Sequence, residues 1–157
     1  GSSAHLLTQL ATGLGAEIYA FTRPKDTKTQ EFARSLGAKW AGDSNSPSPV
    51  LLDAAILFAP VGALYIEALK NIKKGGKVVS AGIHMSDIPS FPYELLFGER
   101  SISSVSHLTR KDGLEFFDLI QKYPIRSSLS VFPLEQANEA LQAIKKGSVD
   151  GSVVLKI

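Results

Sequence analysis

A chain of 157 residues with 44% hydrophobic and 20% charged side chains has the balance of a globular protein and the size of one domain. Its formal net charge of +2, with lysine and arginine spread along the chain, excludes nucleic acid and anionic membrane surfaces as expected partners. It has no cysteine, which rules out disulfides and thiolate zinc sites and fits a cytoplasmic protein.

No uninterrupted apolar stretch is long enough to span a bilayer, and no signal peptide is recognised. "SSAHLLTQLATGLG" predicts a helix with Leu6, Leu7, Leu10, Ala11 and Leu14 on one face and Gly15 as its stop. "AEIYAF" predicts a strand. "DTKTQEFARSLG" predicts a second helix with Asp26 as N-cap and Gly37 as stop, and "AKWAG" a short strand. The Ser/Pro stretch "DSNSPSP" is a surface loop. "LDAAILFAP" is a near-continuous apolar strand, the pattern of burial on both faces.

"GALYIEALKNIKKGG" predicts a helix whose basic end suits the helix dipole, and "KVVSAGI" another buried strand. "YELLF" gives a helical turn, "ISSVSH" a strand, and "RKDGLEFFDLIQKY" a helix stopped by Pro124. "SSLSVFP", "LEQANEALQAIKKG" and "GSVVLKI" then read as strand, helix and strand. Helices alternating with short apolar strands argue for a parallel sheet covered by helices, because parallel strands need crossovers. The expected fold is α/β, a Rossmann-like doubly wound sheet. The strands starting near Glu17, Lys39, Asp53, Lys77 and Ser101 are expected to share one sheet.

In such folds ligands bind beyond the carboxyl ends of the strands. Gly1, followed three residues later by the small Ala4, matches the second half of G-x-G-x-x-G/A, in which a helix N-terminus meets a pyrophosphate. At the second strand tip, where NAD-binding domains carry an acid for the ribose hydroxyls, stand Thr22, Arg23 and Lys25. A hydroxyl and two cations there suit a 2′-phosphate, which arginine grips with two parallel hydrogen bonds.

These segments, and most specifically "ALKNIKKGGKVVSAG" and "PLEQANEALQAIKKGSVDGSVVL", resemble the C-terminal half of a zinc-type alcohol dehydrogenase of the medium-chain dehydrogenase/reductase family. The resemblance runs in order over essentially the whole chain. It implies the cofactor-binding part of an NADP-dependent alcohol or aldehyde oxidoreductase, with NAD as the lesser alternative. Gly1, Ser2 and Ser3 would face the pyrophosphate, and Thr22 would support NADP. Ala59, Pro60 and Val61 would border the adenosine half, and Ala81, Gly82 and Ile83 the nicotinamide half. Ser104, Val105 and Ser106 would lie near the carboxamide.

The resemblance also implies that zinc belongs to a catalytic domain this chain lacks. His5, His84 and His107 are therefore poor ligands, and the alternative role for His5, in a first helical turn, or His84, at a strand end, is a cofactor contact. Residues 1–124 would form the nucleotide-binding domain and 125–157 a strand-helix-strand tail returning to the catalytic domain. The implied partner is a nicotinamide dinucleotide, and a homo-oligomeric parent is left open.

Two other classes stand beside this reading: an S-adenosylmethionine-dependent methyltransferase-like domain and a non-catalytic nucleotide-binding module. The former would want an acid at the second strand tip. The first strand and first glycine of the fingerprint are missing. An intact parent could supply them, the chain could be cut from a longer one, or Gly-Ser-Ser could be vector-derived. In the order 3-2-1-4-5-6 the missing strand is the central one.

Overall fold

The structure is a computed structural model describing residues 1–157. Five α-helices and seven strands alternate: α1 (Ser2–Gly13), β1 (Tyr19–Thr22), α2 (Thr27–Ser35), β2 (Trp40–Asp43), β3 (Leu52–Leu57), α3 (Leu64–Asn71), β4 (Ile72–Ser80), β5 (Ser101–Ser104), α4 (Arg110–Lys122), β6 (Leu129–Pro133), α5 (Ala137–Lys146) and β7 (Ser152–Lys156). Single 3₁₀ turns occupy Tyr93–Leu95 and Leu134–Gln136. The chain divides into two compact units. One comprises Gly1–Thr22, Asp26–Gly42 and Arg110–Ile157, the other Arg23–Lys25 and Asp43–Thr109.

The α/β character and parallel strands agree with the sequence reading. The single sheet does not. The strands form three sheets, β1–β2, β3–β4–β5 and β6–β7. Alternating helices and strands favour parallel pairing but do not fix which strands are neighbours, and no ladder joins β1–β2 to β3–β4–β5.

In the unit containing residues 43–109, β3 and β5 both run parallel to β4. Helix α3 packs on β3 and β4. Tyr65 and Leu69 of α3 meet Ile72 and Val78 of β4 in the core, with Leu52, Leu57, Met85 and Ile102 closing around them. Two sequence expectations are corrected here. The helix ends at Asn71, so Lys73 and Lys74 are not its basic terminus but lie in β4. Leu52 pairs with Ile72 and Ala54 with Lys77, so residues 73–76 bulge out of the ladder. Gly75 makes the bulge at φ +74, its N–H donating to the Gly98 carbonyl at 2.8 Å, while Lys73 pairs with Asp53 at 2.7 Å.

Strand β3 is also not buried on both faces. Ala54 and Ile56 on one face are exposed, whereas Ala55 and Leu57 on the other pack against the core that includes α3.

In the other unit, Leu10, Ala38, Ala41 and Ala140 are buried, and Trp40 packs on Phe21 with ring centres 5.1 Å apart. Asp26 caps α2 as expected: Oδ1 accepts from the Thr29 N–H at 3.1 Å and Oδ2 from the Thr29 hydroxyl at 2.9 Å. Leu14, expected on the buried face of α1, lies past the helix end and is half exposed. Strands β6 and β7 pair in parallel with each other, Val131 opposite Val154 and Phe132 opposite Leu155. No helix is long and apolar enough to cross a membrane.

Candidate cofactor-binding site

The carboxyl edge of β3–β4–β5 gathers nine of the candidate residues. Leu57, Ser80 and Ser104 end their strands in register, Leu57 opposite Ser80 and Ser80 opposite Ser104. Residues 59–61, 81–83 and 104–106 therefore leave the sheet along one edge. Backbone bonds hold these exits: the Ala81 N–H donates to Leu57 at 2.9 Å, Val105 to Ser80 at 3.0 Å, and Val61 to Ala59 at 2.8 Å.

Each exit carries an exposed apolar side chain, with Val61 at 45%, Ile83 at 78% and Val105 at 60% exposure. Three exposed aliphatic groups therefore follow adjacent strand ends.

Sequence reading missed the residue that shapes this edge. The N–H of Gly62 donates to the Ser86 hydroxyl at 2.9 Å, and the Ser86 N–H donates to the Pro60 carbonyl at 3.2 Å. A Cβ on Gly62 would lie 2.1 Å from the Asp87 carbonyl oxygen, so only glycine lets the loop fold so closely on the turn. The contact spans more than twenty positions, beyond any local motif.

The basic turn is also formed. Arg23 and Lys25 are exposed, and Lys25 takes φ +66, a left-handed conformation uncommon for a residue with a Cβ. Its N–H donates to Asp43 Oδ1 at 3.0 Å.

In the other unit, Thr22 is engaged through its side chain. Its hydroxyl donates to the Gly42 carbonyl at 3.4 Å and accepts from Gln30 Nε2 at 3.1 Å. Gln30, a buried polar residue of α2, was not singled out in the sequence because its partner is eight positions away across a turn. Gly1 is the N-cap of α1, with no side-chain cap and no acid in the first turn, so the helix start presents uncompensated positive dipole. The Ser2 and Ser152 hydroxyls share a hydrogen bond at 2.6 Å, and Ser3 is exposed.

His5 is buried and serves the fold. Its Nε2 accepts from the Ser128 N–H at 3.2 Å, which places the ring hydrogen on Nδ1, 3.2 Å from the Gly1 carbonyl. His84 and His107 are exposed, and no group of three His, Cys, Asp or Glu side chains could hold a metal. The residues of this chain therefore do not fit a zinc ion.

The profile of zinc-binding dehydrogenases matches residues 22–155. A probable alcohol dehydrogenase, AdhA, of Mycobacterium tuberculosis (strain CDC 1551 / Oshkosh) is 44% identical over 158 residues, covering 100% of this chain and 45% of that protein. An alcohol dehydrogenase of Geobacillus stearothermophilus is 27% identical over 165 residues, covering 100% of this chain and 48% of its own length. The chain thus spans about half the length of the curated relatives it matches.

Among solved structures, acetophenone reductase from Geotrichum candidum NBRC 4597 in complex with NAD superposes with a TM-score of 0.85 at 23% identity, covering 100% of this chain and 46% of that one. A mycobacterial protein complexed with NADPH superposes with a TM-score of 0.79 at 23% identity, over 100% of this chain and 54% of that one. These likenesses identify the fold as that of Rossmann-like cofactor-binding domains, and the family match displaces the methyltransferase alternative. The chain belongs to the zinc-binding dehydrogenase family.

Proposed function

We propose that this chain is the cofactor-binding part of an NADP-dependent oxidoreductase that moves hydride between a nicotinamide and an alcohol carbon. The observation that carries the reading is the exposed apolar carboxyl edge of β3–β4–β5, combined with the turn after β1, whose residues 23–25 include two cations and no acid. Residues 59–61 border the adenosine half, 81–83 the nicotinamide half, and 104–106 the carboxamide. The N–H groups at Gly1, Ser2 and Ser3 are assigned to the pyrophosphate. Arg23 and Lys25 are assigned to the 2′-phosphate. The nicotinamide supplies the hydride chemistry, while this chain's residues bind and orient it.

Residues 1–124 act as the nucleotide-binding domain, and 125–157 pack against further protein. The half-exposed Leu129 and Val131 on β6 support that assignment. Zinc, if used, is held elsewhere, and a cytoplasmic site agrees with the lack of cysteine.

NAD is the second reading, supported by the solved structure of the same fold that is in complex with NAD. Titration of both dinucleotides at fixed salt separates the two. Arg23→Ala should weaken NADP by roughly ten- to a hundredfold, the loss of one charged hydrogen-bonding contact, and leave NAD almost unchanged. Thr22→Asp should tilt preference toward NAD. Equal weakening of both cofactors by Arg23→Ala rejects NADP selectivity.

A further inference from the structure

The turn that carries Arg23 and Lys25 needs something to hold its shape. Pro24 fixes its own φ and offers no N–H. Lys25 sits at φ +66, a conformation that is costly for a residue with a Cβ and that a backbone restraint helps to hold. The Lys25 N–H is secured by a hydrogen bond to Asp43 Oδ1 at 3.0 Å. Asp43 is the last residue of β2, eighteen positions along the chain.

We propose that Asp43 is the positioning residue of the phosphate-reading turn. Its carboxylate holds the Lys25 amide and so fixes the backbone from which Arg23 and Lys25 project. This assignment rests on the 2′-phosphate reading of that turn.

The carboxylate has two opposing effects. As an acceptor it orders the turn, since a charged acceptor makes a stronger bond to an amide than a neutral one does. As a negative charge it disfavours a phosphate bound nearby. The two separate by substitution. Asp43→Asn keeps an acceptor oxygen at the same reach and removes the charge, whereas Asp43→Ala removes both. A residue that merely stabilised the fold would weaken both cofactors together. A residue that positions the turn changes the ratio between them.

The experiment measures dissociation constants of NADP and NAD for the intact protein at fixed salt, in wild type, Asp43→Ala, Asp43→Asn and Arg23→Ala. Asp43→Ala should lower the NADP preference by roughly five- to twentyfold, with NAD changed by less than about twofold. Asp43→Asn should keep the wild-type preference or raise it. Should Asp43→Ala not fold, Asp43→Ser, whose hydroxyl is too short for the same reach, replaces it.

If Arg23→Ala lowers the preference and Asp43→Ala does not, the assignment of Asp43 is overturned while the phosphate reading stands. A loss in Asp43→Asn as large as in Asp43→Ala also overturns it. If Arg23→Ala leaves the preference unchanged, or wild type binds neither cofactor, the phosphate reading itself fails and takes the assignment with it.

Discussion

Strands β4 and β6 are both parallel, yet the more apolar of the two is the more exposed. β4 reads IKKGGKVVS, with three lysines, and its Ile72 and Val78 are fully buried. β6 reads LSVFP, and its Leu129 and Val131 remain 55% and 57% exposed. The difference lies in neighbours. β4 has a strand on each side and α3 across one face, whereas β6 has one strand neighbour, β7, with α5 beside it. Burial is set by what surrounds a strand, and apolar content reports it only when those neighbours are present.

The contrast is tested most severely with one substitution made twice. Val78→Ala removes two methyl groups from a filled core and should cost about 2–4 kcal/mol of folding stability. Val131→Ala makes the same deletion on an exposed face and should cost under about 1 kcal/mol. Chemical denaturation of the two variants, compared at equal slope, measures both. Similar losses at the two positions would break the comparison.

Gly62 sharpens it at the edge of the three-stranded sheet. Gly62→Ala sets a Cβ against the backbone of Asp87, which cannot move aside as a flexible side chain would. A destabilisation of roughly 1–3 kcal/mol is expected, with weaker NADP binding because the loop and the turn at residues 59–61 are displaced together. Calorimetry and cofactor titration report the two effects separately. A variant with native melting temperature and affinity would show that the close approach is not required.

The smallest effect lies beside β1 and β2. Lys39, hydrogen-bonded and paired to Glu17, holds that carboxyl below its usual value, and Glu17 in turn raises Lys39. The sign follows from each shift. The Glu17 contribution is present above the ordinary carboxylate value and is lost as pH falls through the depressed one. The Lys39 contribution is present below the ordinary lysine value and is lost as pH rises through the elevated one. Both side chains are exposed, so Glu17→Gln should lower the melting temperature slightly near neutrality and not at all in strong acid. A difference that persists unchanged into acid would assign the effect to something other than this pair.

Much of this was legible in the residues. The alternation of helices and strands, the Asp26 cap and the three strand exits follow from local patterns of period and capping. The bulge at residues 73–76 was not, because two lysines after a helix pattern look like a helix end until the ladder to β3 is seen. Gly62, Gln30 and Asp43 were missed for one shared reason. Each is defined by a partner that is distant in sequence or lies across a turn, and no local motif encodes the meeting. The division into three sheets was not legible, because alternating helices and strands imply parallel pairing without fixing which strands are neighbours.

The central claim is that the carboxyl edge of β3–β4–β5 receives a nicotinamide dinucleotide. Mapping backbone-amide chemical shifts of the intact protein during titration with NADP tests it residue by residue. The largest shifts are expected at residues 59–61, 81–83 and 104–106, with the amides of β6 and β7 nearly still. Shifts concentrated on β6 and β7, or none at saturating NADP, would contradict it.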